Sequence, residues 1–349
     1  MTRKYVGAGL GIAATLGMVV FVVHRWRTSG FAWREFAAAL KNVDWSWLAL
    51  SLALILATYV GRALRWEVML RPLKKNTTLW PVFSATAIGF TAVVLFGRAG
   101  EAVRPYLIAK KEDVTFSSQV AAWVVERMLD LLMVLVIFGM ALSQVSRSAI
   151  QYGPKVKIIL EAGGYTAGVT GVACLALLLG LRQFRGGVQQ RLMDGLSFLP
   201  AAMTAKIGKA LGSFGEGMES MRSGARTALL VFYTIVEWCV IAASFGCVFK
   251  AFPATHTLGV TDVVILLGFI CFGSIVQLPG VGGGMQIVTV LILTELFGVS
   301  LEAASGIALV LWIISFVAIV PLGLVLAFHE GIQWRNLRHI EPGEAAKLT

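Results

Sequence analysis

The chain has 349 residues, of which 57% are hydrophobic and only 14% are charged. Soluble domains carry about 25% charged residues, so this composition excludes a soluble globular enzyme of this size. The formal net charge of +11 does not indicate a nucleic-acid-binding protein, because long uncharged stretches separate the positive charges. The composition is typical of an integral membrane protein.

Several stretches contain no Asp, Glu, Lys or Arg and are as long as a membrane-spanning helix, which needs roughly 20 apolar residues. These stretches are Tyr5–Val23, Asn76–Gly97, Ala162–Leu181, Val263–Thr294 and Ala303–Phe328. When a few charged residues are allowed, the apolar stretches of the chain are 5–23, 46–66, 79–96, 117–142, 162–181, 227–249, 261–278, 283–298 and 303–328. Basic residues, and no small-residue cleavage site, follow the first stretch, which therefore indicates a helix and not a signal peptide.

Two membrane topologies fit these apolar stretches. If every stretch spans the membrane, Lys and Arg divide between the two sides without a clear preference. If 79–112 and 261–298 are re-entrant hairpins that enter from opposite sides, six spans remain and most Lys and Arg lie on one side. We therefore expect an all-α polytopic membrane protein with six spanning helices and two re-entrant helical hairpins, and with both termini in the cytoplasm.

The same topology predicts an internal repeat within a single membrane domain, residues 1–349. Residues 5–142 and 162–328 each contain two spans, a hairpin and a third span, and 329–349 form a short cytoplasmic tail. Because three spans is an odd number, the two halves must be inverted in the membrane, as in many transporters. The hairpin tips are rich in residues suited to turns: Gly97, Gly100, Pro279, Gly280, Gly282 and Gly283.

Two further segments have apolar residues at helical spacing with charges between them. The longer segment, 188–222, predicts an amphipathic helix, or two helices broken near Pro200, at the cytoplasmic interface. The shorter segment is Phe31–Val43. Both are expected to pack against the bundle or the lipid headgroups.

One predicted span carries charges in its middle. Glu126, Arg127 and Asp130 are three and four residues apart, so they share one helix face. They form either an ion pair that joins two helices or a polar wall of a headgroup cavity, since charges within a membrane are costly and often functional.

Further arginines and an acid lie near the first hairpin tip: Arg98, Glu101 and Arg104. Arg62 and Arg65 end the second span, where they either join this site or extend to lipid phosphates at the membrane surface. Because guanidinium groups bind phosphate through paired hydrogen bonds, this arrangement predicts an anionic phospholipid or polyprenyl-phosphate headgroup as ligand.

The sequence contains no pattern typical of an enzyme. It has no Walker loop, no HExxH helix, no metal-spaced His/Cys cluster and no Ser-His-Asp order. We therefore expect no cofactor and no metal site. Glu237 and Glu295 are single acids in apolar stretches, and each is either a protonatable coupling site or a hydrogen-bonded neutral carboxyl.

Four short motifs occur in one order along the chain: Arg62-x-x-Arg65-Trp66, Gly97-Arg98-Ala99-Gly100-Glu101 followed by Arg104, Glu126-Arg127-x-x-Asp130, and Leu278-Pro279-Gly280. This arrangement resembles the lysylphosphatidylglycerol synthase transmembrane family, also called the flippase-like domain family. The resemblance extends from about residue 30 to 328. It covers the membrane region only, without the soluble aminoacyl-transferase domain that some family members carry.

The resemblance implies a helical bundle in a prokaryotic cytoplasmic membrane that binds or moves an amphiphilic lipid. It places Arg98, Glu101, Arg104, Glu126, Arg127 and Asp130 at the polar motif positions of the family. Three functions remain open at this point: a lipid translocase, a membrane anchor for a soluble or membrane-bound transferase that docks on 188–222, and an intramembrane transferase that uses Glu126 or Asp130. The oligomeric state also stays open.

Overall fold

A computed structural model describes most of the two predicted halves. The described residues are 31–147, 164–165, 168–174, 176, 201–219, 223–273, 277–278 and 282–332. The first predicted span, part of 162–181, part of 188–222, the tip residues Pro279 and Gly280, and the tail after 332 lie outside them.

The described residues are almost entirely helical, in agreement with the predicted class. The helices are α1 (Trp33–Lys41), α2 (Trp45–Leu70), α3 (Leu79–Phe96), α4 (Val103–Glu112), α5 (Phe116–Arg147), α6 (Ala201–Gly217), α7 (Gly224–Ala251), α8 (Val260–Gly273), α9 (Gly284–Glu295), α10 (Leu301–Trp312) and α11 (Ile319–His329). A 3-10 turn (Gly97–Ala102) joins α3 to α4, and a π-helical turn (Ile313–Val317) joins α10 to α11.

Four described helical segments are long and apolar enough to cross a membrane: Trp45–Leu70, Leu79–Phe96, Gly224–Ala251 and Leu301–His329. α5 is 32 residues long, but its middle carries three charged side chains. These segments confirm a membrane protein with several spanning helices. The predicted total of six spans includes 5–23 and 162–181, which fall wholly or partly outside the described residues.

Residues 79–112 fold back on themselves. Lys111 Nζ donates to Ser84 Oγ at 3.0 Å, and a Cβ on Gly89 would lie 2.5 Å from Arg104 Cβ. α3 and α4 are therefore antiparallel and in close contact. The chain turns at Gly97, whose φ of 64° is accessible to glycine at little cost.

Residues 260–295 form a second fold-back. Short strands β1 (Gln277–Leu278) and β2 (Gly282–Gly283) pair antiparallel between α8 and α9, which pack against each other. Gly283 has a φ of 135°, and its N–H donates to Gln286 Oε1 at 2.7 Å. The turn therefore places α9 beside α8.

The two fold-backs begin and end at opposite ends of the bundle. At one end, Lys74 Nζ lies 3.0 Å from Glu112 Oε2, and Lys111 Nζ lies 2.6 Å from Glu330 Oε1. Those contacts gather the ends of the first fold-back beside the end of α11. We call this the basic end, because it carries Arg71, Lys74, Lys75, Lys110 and Lys111.

The opposite end gathers the start of α2, the end of α7 and the start of α10. Asp44 N–H donates to the Ala251 carbonyl at 3.0 Å, and Ala32 N–H donates to Glu302 Oε1 at 3.1 Å. Asp44 also caps α2, because its carboxylate accepts from the hydroxyl and the N–H of Ser46. These hydrogen bonds hold the pKa of Asp44 below its ordinary value.

The central contact joins α2 to α7, and each fold-back packs on the last helix of the other half. Ser51 and Ser244 hydroxyls lie 2.7 Å apart between α2 and α7. α8 contacts α5, and α3 contacts α11. Each half therefore places its fold-back against the last helix of the other half.

A glycine allows the closest approach between α3 and α11. A Cβ on Gly323 would lie 2.7 Å from the Ala87 carbonyl oxygen and closer still to Thr91 Oγ1. We expect Gly323→Ala to lower the free energy of unfolding by about 1–3 kcal/mol, because backbone atoms must move to admit the methyl group. Thermal unfolding in detergent measures the loss.

Gly61→Ala is the matched control for this substitution. Gly61 lies within α2, and among the described residues no atom comes within 4 Å of a Cβ built there. Alanine at Gly61 should raise the melting temperature slightly, since alanine is the better helix former. Equal melting temperatures for wild type and Gly323→Ala would contradict the close contact.

Candidate functional site

Arg65 lies at the centre of a buried ionic network between α2, α5 and α7. Its side chain is fully buried. Nη2 lies 2.5 Å from Glu126 Oε1, and Nη1 lies 2.7 Å from Asp130 Oδ1 and 3.0 Å from Thr234 Oγ1. Glu126 and Asp130 are one helical turn apart on α5, so both carboxylates reach the same guanidinium.

Arg104 enters the network from the first fold-back. Its Nη1 lies 2.8 Å from Glu126 Oε2, and its guanidinium lies 4.1 Å from the Trp66 ring centroid. Trp66 Nε1 donates to Gln119 Oε1 at 2.9 Å, which fixes the indole. Gly89 leaves the space in which the Arg104 backbone packs against α3.

Two more arginines surround this centre. Arg62 Nη2 lies 2.7 Å from Glu237 Oε1 on α7, and its guanidinium lies 4.6 Å from the Phe90 ring centroid. Arg127 Nη2 lies 3.0 Å from Asp130 Oδ2. These ionic contacts therefore join α2, α4, α5 and α7.

We call these charged residues together the ion cluster: Arg62, Arg65, Arg104, Arg127, Glu126, Asp130 and Glu237. Its four guanidinium groups face three carboxylates, so one positive charge is in excess. Removing ions from water is expensive, and close pairing offsets that cost only when the charges are matched. Glu101, which lines the adjoining cavity, supplies a fourth carboxylate, so the preference of the site for an anion depends on which of these charged groups reach the cavity.

A cavity of about 310 Å³ lies beside the ion cluster. Arg62, Arg104, Arg127 and Glu101 are its charged lining residues, whereas the three carboxylates of the cluster are absent from the described lining. The remainder is mostly apolar or aromatic: Ile55, Thr58, Tyr59, Gly89, Phe90, Val93, Val94, Trp123, Trp238, Ile241, Phe245, Leu267, Ile270, Cys271, Met285, Ser315 and Phe316. Both fold-backs contribute to this wall.

Several buried polar atoms at this site have no hydrogen-bond partner among the described residues. They are the Nε atoms of the four arginines, Glu237 Oε2, Trp238 Nε1 and Ser315 Oγ. Arg62, Arg104 and Arg127 line the cavity, and the Nε–H group of each can donate a hydrogen bond to a ligand. The site can therefore donate several hydrogen bonds to an anionic group.

The structure brings most of the sequence-predicted site residues together. Arg65, Arg104, Glu126, Arg127 and Asp130 are in direct ionic contact. The alternative that Arg65 extends to surface phosphates is wrong, because that side chain is completely buried.

The remaining predicted residues have different positions. Glu101 lines the cavity, whereas the side chain of Arg98 lies outside the described part of the structure. Gly97, Gly100, Gly282 and Gly283 occupy the two turns, and a Cβ on Gly100 would clash with the Ala92 carbonyl group of α3. Pro279 and Gly280 lie outside the described residues.

Sequence reasoning missed two contributors to the site, Trp238 and Ser315, and named Glu237 without its partner. Glu237 is a single acid in its stretch of sequence, but in the fold it pairs with Arg62. Trp238 and Ser315 give no signal, because an indole and a hydroxyl are ordinary in an apolar stretch. Glu295, the other single acid, is exposed at the end of α9.

Comparisons with known proteins give one match. The family described as the lysylphosphatidylglycerol synthase TM region matches residues 8–323. Searches of curated proteins and of solved structures gave no significant match. The matched region contains every residue of the ion cluster and of the cavity wall. The chain therefore belongs to the lysylphosphatidylglycerol synthase transmembrane-region family.

Proposed function

We propose that this protein is a flippase-like lipid transporter that binds an anionic phosphate headgroup in the cavity. The observation that carries the proposal is the charge of the wall, where three arginines face the cavity and only one carboxylate does. Arginine binds phosphate oxygens through charge-assisted hydrogen bonds. The wall therefore suits a phosphate group and disfavours a ligand whose only charge is positive.

The surroundings of the cavity suit a lipid better than a soluble phosphate. Apolar side chains of α2, α3, α7, α8 and the π-helical turn line it beside the arginines. The volume of about 310 Å³ is at the small end of ligand pockets, enough for a headgroup and not for acyl chains. In this proposal the chains remain in the bilayer while the headgroup enters.

The proposed membrane placement has six spans and two re-entrant hairpins arranged as an inverted repeat. Two observations support this placement. The two fold-backs start from opposite ends of the bundle, and each packs on the last helix of the other half. The basic end would lie in the cytoplasm of a prokaryotic cell, since cytoplasmic loops carry an excess of Lys and Arg.

Two observations favour transport over a docking or catalytic role. The described part of the amphipathic segment, α6, packs on α5, and Gly217 of α6 lies against the Ser118 carbonyl. The end of the segment's apolar face, at Phe214 and Met218, therefore packs on the bundle, which leaves less of α6 for a transferase to dock on. Glu126 and Asp130 are both held by arginines, which suits a structural role better than proton transfer.

A liposome assay tests the transport proposal. Purified protein in vesicles should speed the loss of fluorescence of labelled phosphatidylglycerol to an external quencher. Arg127→Gln should slow this rate about tenfold, because a hydrogen bond to a charged group contributes about 1.5–3 kcal/mol. Asp130 keeps its contact with Arg65 in this variant, so the fold should survive.

The control is Arg71→Gln, which changes an exposed arginine at the basic end. It should transport at the wild-type rate, and both variants should show the same melting temperature within a few degrees. If vesicles with wild-type protein lose fluorescence no faster than empty vesicles, the transport proposal fails.

A further inference from the structure

The ring of Phe90 lies against two arginines of the cavity wall. Its centroid is 4.6 Å from the guanidinium carbon of Arg62 and 5.5 Å from that of Arg104. The ring also meets Tyr59 edge to face, with centroids 5.3 Å apart. All four side chains line the cavity. One aromatic side chain of α3 is therefore close to two of the groups that are proposed to bind phosphate.

The ion pairs of these two arginines support only the edges of their guanidinium groups. Arg62 Nη2 lies 2.7 Å from Glu237 Oε1, and Arg104 Nη1 lies 2.8 Å from Glu126 Oε2. Arg104 Nη2 also donates to the Arg62 carbonyl at 3.3 Å. The N–H groups of a guanidinium lie in its plane, so hydrogen bonds of this kind leave its two faces without support.

An aromatic ring supplies the missing contact. Arginine stacks its planar face on aromatic rings, and the negative face of the ring attracts a cation that lies within about 6 Å. A guanidinium held by its face keeps its remaining in-plane N–H groups available, and Nε of both arginines has no hydrogen-bond partner among the described residues. An aliphatic side chain would fill the same space without attracting either charge.

The place of Phe90 in the fold connects the two arginines. Phe90 follows Gly89, against which the Arg104 backbone packs, so Phe90 and Arg104 both belong to the first fold-back. Arg62 belongs to α2. The ring thus reaches from the fold-back to an arginine of the neighbouring helix, and the relative orientation of the two guanidinium groups depends on it.

We propose that Phe90 is a positioning residue, which holds Arg62 and Arg104 in the orientation in which both donate to one phosphate group. The ring acts through the two arginines and forms no hydrogen bond itself. This inference rests on the proposed function and adds a residue on which phosphate binding depends. A lipid headgroup and inorganic phosphate share the chemistry that the arginines recognise.

Binding in detergent tests this role without transport. Purified protein is titrated with a short-chain phosphatidylglycerol, and calorimetry gives the dissociation constant. Phe90→Leu should raise this constant about tenfold, as expected when cation–π contacts at a desolvated site are lost. Phe90→Tyr keeps the ring, so its dissociation constant should stay within about twofold of the wild-type value.

Fluorination of the ring separates attraction from packing. Trifluorophenylalanine in place of Phe90 nearly preserves the size of the ring but removes most of the negative charge of its face. The dissociation constant should therefore rise toward that of Phe90→Leu. A side chain that only fills space would give the same dissociation constant with either ring. The melting temperatures without lipid should agree within a few degrees, which verifies that both proteins are folded.

Phe83→Leu is the matched control. Phe83 lies on α3 about two turns before Phe90 and is half-buried like it. Its ring centroid is 5.8 Å from that of Trp80, and Phe83 does not belong to the described lining of the cavity. This variant should bind phosphatidylglycerol as wild type does.

Inorganic phosphate, titrated in place of the lipid, distinguishes the two sources of the phosphate group. It should bind more weakly than the lipid and rank the variants in the same order. Equal dissociation constants for wild type, Phe90→Leu and the fluorinated protein would overturn the positioning role and leave the transport proposal intact. The expected order of dissociation constants without lipid movement in vesicles would overturn transport alone. Wild-type protein that binds neither ligand would overturn both.

Discussion

Arg65→Ala is expected to lower the free energy of unfolding by about 3–5 kcal/mol, a large part of the total stability of an ordinary domain. The guanidinium is fully buried and contacts both Glu126 and Asp130. Its removal leaves two buried carboxylates with fewer counter-charges and a cavity where the side chain was. The loss should appear as a much lower melting temperature in detergent and a smaller yield of monodisperse protein.

Two other substitutions test the cause of this loss. Arg65→Lys keeps the charge but cannot reach both carboxylates with a planar fork, so an intermediate melting temperature is expected. Arg71→Ala removes an exposed arginine that lies 3.3 Å from Glu67, and such pairs contribute less than about 1 kcal/mol. A melting temperature of Arg65→Ala near that of Arg71→Ala would refute the central role of Arg65.

Substitutions in the ion pair between Arg62 and Glu237 should distinguish an effect on stability from an effect on transport. Glu237→Met alone leaves Arg62 without its 2.7 Å partner and should cost about 3 kcal/mol, because an unpaired charge remains in a buried site. The double variant Arg62→Met with Glu237→Met should regain most of that stability, since hydrophobic residues often replace a buried ion pair at little cost.

The same double variant should transport poorly in the vesicle assay. Arg62 lines the cavity, so its loss removes a phosphate donor even where the fold is restored. We expect a stable protein with a rate at least about tenfold below wild type. Wild-type transport by the stable double variant would show that Arg62 has only a structural role.

The helices and much of the ion cluster were predictable from local patterns. Long apolar stretches indicate spans because of the cost of exposing backbone groups to lipid, and a spacing of three and four residues places charges on one helix face. Glu126, Arg127 and Asp130 could therefore be assigned to one site. The turns at Gly97 and Gly283 were accessible to the same reasoning, since glycine tolerates positive φ.

Contacts between distant elements were not predictable in this way. Arg65 lies near a helix end in sequence, where a long basic side chain usually extends to the membrane surface. Its burial depends on carboxylates 61 and 65 residues away on α5. The pairing of Glu237 with Arg62 likewise depends on the packing of α2 on α7. No local periodicity contains that information.

The length of α2 determines how deep the ion cluster lies. Trp45, 71% exposed, opens the helix, and tryptophan favours the boundary between headgroups and hydrocarbon. Arg65 follows about 20 residues later, a rise of about 30 Å, which equals the usual thickness of the hydrocarbon layer. In the proposed membrane placement, the charges therefore lie near the far boundary and not at the bilayer midplane. If the protein transports a lipid as proposed, a headgroup from the leaflet at the basic end has a short path to these charges, whereas a headgroup from the other leaflet crosses most of the membrane thickness.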